Sequence, residues 1–354
     1  MMYKLALAYL YRYRPHMAHR LLSRYGSPEM VWENVDCDPY VDAAKKNEAW
    51  EHALREAEFI DKHHILTTFC TDDNYPTRLK QCVDRPVMLF AKGNVNHSEG
   101  KFVSIVGTRR ATERGKELTR RFVLDLAQMC SDVTIVSGLA YGIDVAAHRA
   151  ALEADMPTII IPAHGLDRIY PSVHRQVAVE ALANGGILTE YMSGTEPEKM
   201  NFVARNRIVA GLADAVLVAE SPDRGGSLIT ASMAVDYNRE LFAFPGRPSD
   251  MSSMGCNRLI RQQQASLINS AADFVELMGW EPENKEPQLT MSLDSSTMSD
   301  SKLLNMLRSA EEGMHINSLV MESGLPYTDV AAELMMLEMD GLVRALAGGI
   351  YRAL

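Results

Sequence analysis

The stretch Phe102-Val103-Ser104-Ile105-Val106-Gly107-Thr108-Arg109-Arg110 decides the fold. Five uncharged residues run into a glycine, and two arginines then open a segment of helix length. An apolar run this short, with no polar face, suits a strand buried from both sides. The same unit recurs at VTIVS (133–137), PTIIIPA (157–163), GILTE (186–190), DAVLVAE (214–220) and ELFAFPG (240–246), with helix-length segments between the runs. Such alternation predicts an α/β fold: a Rossmann-like, doubly wound, mostly parallel sheet wrapped by helices. The apolar element PVMLFAKG (86–93) is expected to join that sheet or lead into it.

Outward from this core the composition changes. Residues 1–24 hold five bases (Lys4, Arg12, Arg14, Arg20, Arg24) and no acid. Apolar positions there suit two short helices around Pro15, and a charge-rich helical stretch follows at about 40–63. The plainest reading is a small helical domain with a solvated basic face. At the other end, EPENKEPQLTMSLDSSTMSD (281–300) has two prolines, four serines and no apolar period, which is linker chemistry. Three helical patterns and a hairpin-like VRALAGGIYRAL then suggest a winged-helix module. From Glu281 onward twelve acids face five bases, a local charge of −7. A DNA-reading wing carries the opposite sign, so a protein-contacting role is expected. The expected domains are therefore 1–66 (helical), 67–280 (Rossmann-like), 281–300 (linker) and 301–354 (winged helix).

Whole-chain arithmetic narrows the function. The 354 residues are 47% hydrophobic, enough for real cores. With 36 bases against 46 acids the net charge is −10, which argues against coating nucleic acid by bulk charge but leaves room for a local basic groove. Five cysteines without a C-x-x-C pair predict neither a disulfide framework nor a zinc site, and point to a reduced, cytoplasmic setting. No apolar run approaches the ~20 residues of a membrane span. No metal is expected.

Three loops carry the chemistry. Gly107-Thr108-Arg109-Arg110 is a strand-to-helix turn followed by six bases and two acids over 109–121. A glycine there lets a phosphate approach the backbone, and the arginine supplies a bidentate fork. Neither G-x-G-x-x-G nor the Walker pattern is present, so a nucleotide cofactor is unsupported. The stretch 199–207 places Lys199, Arg205 and Arg207 around Asn206 and one aromatic, Phe202. An aromatic among cations is a stacking platform for an unpaired base; the alternative puts Phe202 in the core and the arginines in solvent. Gly225-Gly226-Ser227 opens a helix as a second anion cradle, with Ser227 as expected N-cap. In an open α/β sheet these loops can converge at the carboxyl edge, and several phosphates in a row fit that better than one small metabolite. The turn SGLAYGID with His148, and GLDRIYP (165–171), read equally well as packing and loop-locking features.

Taken together, GTRRAT, SGLAYGID, GLDRIYP, ILTEY, NFVARNRIVAGL, GGSLITAS and FPGRPSDMSSMGCNRLI occur in that order. The chain resembles the DNA-processing protein A family over essentially its full length. The resemblance implies single-stranded DNA binding by a Rossmann-like core and homodimerisation through that core. It also implies delivery of incoming strands to the RecA recombinase during natural transformation and recombination, with no catalytic turnover, catalytic residue or cofactor. Carried over residue by residue, it makes Arg109 the phosphate-binding arginine, and Lys199 and Phe202 a contact pair for base and backbone. Arg205, Asn206 and Arg207 match the family's R-N-R element, and Gly225 to Ser227 its Gly-Ser loop. One departure lies in the N-terminal turn YRYRPH (11–16), which lacks the glycine of a helix-hairpin contact.

The competing reading is an enzyme of the nucleotide phosphoribohydrolase type, whose P-G-G-x-G-T-x-x-E loop also opens a helix. Here Gly226 is followed by Ser-Leu-Ile-Thr-Ala-Ser-Met, so the loop's third glycine and its glutamate are missing. No other carboxylate is placed as a general acid or base, although Glu190 and Glu220 both end strands.

Overall fold

A computed structural model of the chain describes residues 1–95, 99–282, 301–310, 313–339, 341–346 and 349–353. The chain divides into two compact units, Met1–Lys285 and Glu286–Leu354. The first begins with helices α1 (Met2–Leu10), α2 (Pro15–Tyr25), α3 (Pro28–Glu33) and α4 (Ala43–His63). Proline at the first position of α2 costs no hydrogen bond there. Asp42 caps α4 by accepting from the Lys45 amide at 2.8 Å.

Nine strands follow among the described residues: β1 (Leu66–Phe69), β2 (Met88–Gly93), β3 (Lys101–Gly107), β4 (Val133–Ser137), β5 (Thr158–Ile160), β6 (Gly185–Thr189), β7 (Ala215–Glu220), β8 (Glu240–Ala243) and β9 (Ser266–Leu267). They form one sheet in the order β1-β2-β6-β5-β4-β3-β7-β8-β9. From β6 to β9 all neighbours are parallel, while β1 and β2 make an antiparallel edge. The 86–93 element thus joins the sheet as β2. Between strands lie α5 (Thr77–Lys80), α6 (Glu113–Met129), α7 (Ile143–Glu153), α8 (Arg175–Ala181), α9 (Lys199–Leu212), α10 (Ser227–Asp236) and α11 (Met254–Arg261), with α12 (Ala271–Leu277) after β9.

Period-two alternation sends successive residues of a strand to opposite faces. Val103 and Ile105 of β3 pack with Phe122, Ile143 and Phe274, under α6, α7 and α12. Phe102 and Val106 pack on the other face with Ile208, Val209 and Ala231, under α9 and α10. Each fully buried Ile, Val or Phe contributes roughly 1.5–3 kcal/mol. Leu5, Leu7 and Tyr11 belong to that same second cluster, so the N-terminal helices share one apolar core with the sheet.

The path of the chain positions the site. From β3 it steps outward through β4, β5 and β6, then returns across α9 to the far side of β3 and steps outward through β7 to β9. Strand order therefore reverses between β3 and β7. In open α/β sheets a crevice forms at such a switch point, beyond the carboxyl ends of the strands. Register shifts between Val106 and Gly107, the last two residues of β3.

The second unit has helices α13 (Lys302–Arg308), α14 (Ile316–Ser323) and α15 (Tyr327–Met339). Its sheet, in the order β10-β12-β11, is built from β10 (Met314–His315), β11 (Val343–Leu346) and β12 (Ile350–Ala353). Leu303, Leu307, Leu319, Leu334 and Val343 make its core. The three helices and the hairpin are those expected of a winged helix. Two-residue β10 is too short to leave an alternating pattern. Of the expected linker, residues 283–300 lie outside the described residues.

Candidate functional site

At the switch point the carboxyl ends of β3, β4 and β7 open into a cleft of about 490 Å³. Its walls include Gly107 and Arg109 after β3, Gly138 and Asp144 after β4, and Gly225 and Gly226 after β7. Lys199, Phe202 and Asn206 reach it from α9.

The loop after β3 is fixed from beneath. Glu220, at the end of β7, accepts the Thr112 amide and the Thr112 hydroxyl, each at 2.8 Å. Thr112 in turn accepts from the Gly115 amide at 3.0 Å and caps α6. Gly107 is glycine for a packing reason: a Cβ there would sit 2.4 Å from the Ile143 side chain and 2.8 Å from the Glu220 carbonyl oxygen. Gly142 has φ of 81°, and a Cβ would meet the Thr108 carbonyl oxygen at 2.1 Å. These contacts hold residues 107–109 against the start of α7.

Arg109 is exposed and extends over the ring of Phe202, 4.8 Å from its centroid. Among the described residues no carboxylate lies within 4 Å of its guanidinium. Phe202 is half-buried, and Tyr170 stands 6.0 Å away, ring centroid to centroid. Lys199 is exposed in the first turn of α9. The N-termini of α9 and α10 both lie at the cleft, and each adds partial positive charge.

Not every expected residue faces this space. Arg110 is exposed but does not line the cleft; its amide donates to the Thr108 hydroxyl at 3.2 Å. Arg207 is buried, does not line the cleft, and pairs with buried Glu190. Burial raises the Glu190 pKa against the opposing pull of Arg207. Arg205 is buried in the wall of the cleft, where it donates to the Ile161 carbonyl and faces Asp144. Burial lowers its pKa and raises that of Asp144, each opposed by the charge of the other. Neither arginine stands in solvent, as the alternative reading had it, and of the two expected DNA contacts only Arg205 borders the cleft: the turn of α9 drives both inward, and Asn206 alone of that triplet lines the cleft without being buried. Ser227 is also corrected. Gly226 occupies the N-cap, and the Ser227 hydroxyl is buried, donating to the Ser221 hydroxyl at 2.8 Å.

Sequence reasoning missed Asp144 as a cleft residue, although its place in the Gly138-to-Asp144 turn after β4 was a usable signal. His148 is the packing residue that the plainer reading proposed. It is fully buried, donates from Nε2 to the Gly138 carbonyl at 2.7 Å, and receives the Thr158 hydroxyl at Nδ1 at 2.8 Å. Burial pushes its pKa down to about 4. None of the five cysteines is joined in a disulfide. Among the described residues no three His, Cys, Asp or Glu side chains are grouped to hold a metal ion, and no helix is long and apolar enough to cross a membrane.

A family model described as DNA recombination-mediator protein A matches residues 66–279. This chain belongs to that family. A model of the DprA winged helix domain matches residues 287–349. Protein Smf of Synechocystis is 34% identical over 334 residues, covering 84% of this chain and 83% of that protein. DNA processing protein DprA of Streptococcus pneumoniae is 41% identical over 224 residues, covering 63% and 76%. The X-ray structure of DprA from Streptococcus pneumoniae superposes with a TM-score of 0.68 at 32% identity, covering 78% of this chain and 97% of that one. A structure of DNA processing protein A from Helicobacter pylori, reported for its single-stranded DNA binding mode, gives 0.55 at 33% identity, covering 60% and 95%. The Rossmann-like core and the winged helix are therefore those of this family.

Proposed function

We propose that this chain binds single-stranded DNA in the switch-point cleft and passes the strand to the RecA recombinase, serving natural transformation and recombination in the cytoplasm. In this reading it acts as a homodimer joined through the Rossmann-like unit and turns over no substrate. The observation that carries it is the Arg109–Phe202 pair at the mouth of the cleft: a π-face and a cation with no carboxylate within 4 Å among the described residues, beside Lys199 and two helix N-termini. A ring offers stacking to any unpaired base, and the cations track the phosphates. The Helicobacter pylori relative supports the choice of ligand.

The carboxylates at and beside the cleft are engaged elsewhere, which speaks against the hydrolase alternative. Glu220 is committed to Thr112, and Asp144 is buried beside Arg205. A general acid or base needs hydrogen-bond reach to its substrate. The deciding experiment is a titration with single-stranded and duplex oligonucleotides of equal length at several salt concentrations. Preference for the single strand with a steep salt slope is expected; equal binding of both forms, or a flat slope, would overturn the reading.

A further inference from the structure

We propose that the strand does not end at the cleft but continues over the turn between α1 and α2, where Tyr13, Arg12 and Arg14 form a second strand-binding surface. This rests on the single-strand reading of the cleft and extends it. A second cavity, of about 310 Å³, lies between the N-terminal helices and the segment after β6. That segment is a shared wall: Pro197 and Lys199 line the switch-point cleft, and Glu196 and Glu198 line the second cavity. A strand leaving Lys199 over this wall arrives at Tyr13.

The turn repeats the chemistry of the cleft mouth. There Arg109 lies over Phe202; here the Arg12 guanidinium lies 4.1 Å from the Tyr9 ring centroid and 5.0 Å from that of Tyr13. Arg14 lies 3.9 Å from the centroid of Tyr40. Hydrogen bonds to the Tyr9 and Tyr13 hydroxyls hold the Arg12 guanidinium beside both rings, and its remaining N–H donors are the ones it can offer a phosphate. Among the described residues neither Arg12 nor Arg14 has a carboxylate within 4 Å, whereas surface Arg120 and Arg168 are both paired. Tyr13 is 61% exposed and Tyr40 57%, which leaves much of each ring in water even with an arginine beside it. Of the carboxylates on the wall, Glu196 is neutralised by Arg168 and Glu190 by Arg207, which leaves Glu198 against two arginines.

The test uses the full chain and two oligothymidylates, one of about four nucleotides to occupy the cleft alone and one about four times longer. Tyr13→Ala, Tyr13→Trp and the double variant Arg12→Gln/Arg14→Gln are compared with the parent by fluorescence anisotropy, with thermal melts as a check on folding. The proposal expects Tyr13→Ala and the double variant to weaken the long strand about ten-fold and leave the short one unchanged, with Tyr13→Trp near the parent. Photocrosslinking from iodouracil at the strand end outside the cleft should mark residues 11–16. Variants that bind both lengths like the parent, with crosslinks confined to the cleft, overturn the second surface while sparing the cleft. A parent that binds neither length overturns the cleft reading itself, and the extension with it.

Discussion

The guanidinium of Arg109, in the loop after β3, lies over the ring of Phe202, in the first turn of α9, at 4.8 Å from the centroid. Two elements far apart in sequence thus meet at the mouth of the cleft, and the ring between them is half-buried rather than enclosed. If this ring stacks on an unpaired base, Phe202→Ala should cost ~1–3 kcal/mol of binding. Folding should lose far less than the ~3–5 kcal/mol of emptying a core Phe site. Phe202→Tyr and Phe202→Trp should bind like the parent. A melt run beside a titration checks this: a large fall in melting temperature with affinity intact would return Phe202 to the core.

Arg207 should behave in the opposite way. It is buried against Glu190 and does not line the cleft. Arg207→Ala strands a buried carboxylate, which should cost about 3–5 kcal/mol of stability. Affinity in the folded fraction should stay near that of the parent. Normal melting with lost binding would place Arg207 among the DNA ligands after all.

His148 gives the fold a pH dependence of definite sign. Its pKa falls from 6.5 to about 4 on folding because burial disfavours the imidazolium. As pH drops below about 6.5 the unfolded chain takes up the proton first, so stability present at neutral pH is lost between pH 6.5 and 4 and levels off below. The loss should be on the order of 3 kcal/mol. His19 and His164 are shifted in the same direction by burial, so the comparison has to isolate His148. Urea unfolding of the parent and of His148→Gln at pH 7.5 and 4.5 should show a shallower fall in the variant. Identical falls would contradict this assignment.

Deleting Ser301 to Leu354 should leave single-strand affinity largely unchanged. The first unit has its own core, and the deleted segment belongs to a stretch of charge −7 that repels phosphate. Loss of most of the affinity in the folded, truncated protein would make the winged helix a DNA reader.

The sheet was legible because its strands are apolar on both faces: VLVA within β7 and FVSIV within β3 are too short for a buried helix and are closed by Glu220 and Gly107. The switch point between β3 and β7 was not legible, because the number and spacing of such runs do not say which strands pair. Residue roles along α9 were less legible, because by composition the stretch 199–207 is a single basic cluster. Helical spacing divides it. Lys199, Phe202, Val203 and Asn206 fall at i, i+3, i+4 and i+7 and all line the cleft, while Arg205 is buried in its wall and Arg207 turns into the core. The buried partners that receive them, Ile161 and Glu190, lie 44 and 17 residues away in sequence, and no local pattern announces such pairings. The packing of the N-terminal helices into the sheet core was hidden for the same reason.

The most direct test of the account is the salt dependence of single-strand binding in the parent and in Arg109→Ala, measured by titration from low to physiological salt. The account predicts a loss of about 1.5–3 kcal/mol for one charge-assisted contact, with a log–log salt slope shallower by ~0.7. Arg109→Ala binding like the parent at every salt concentration would contradict it.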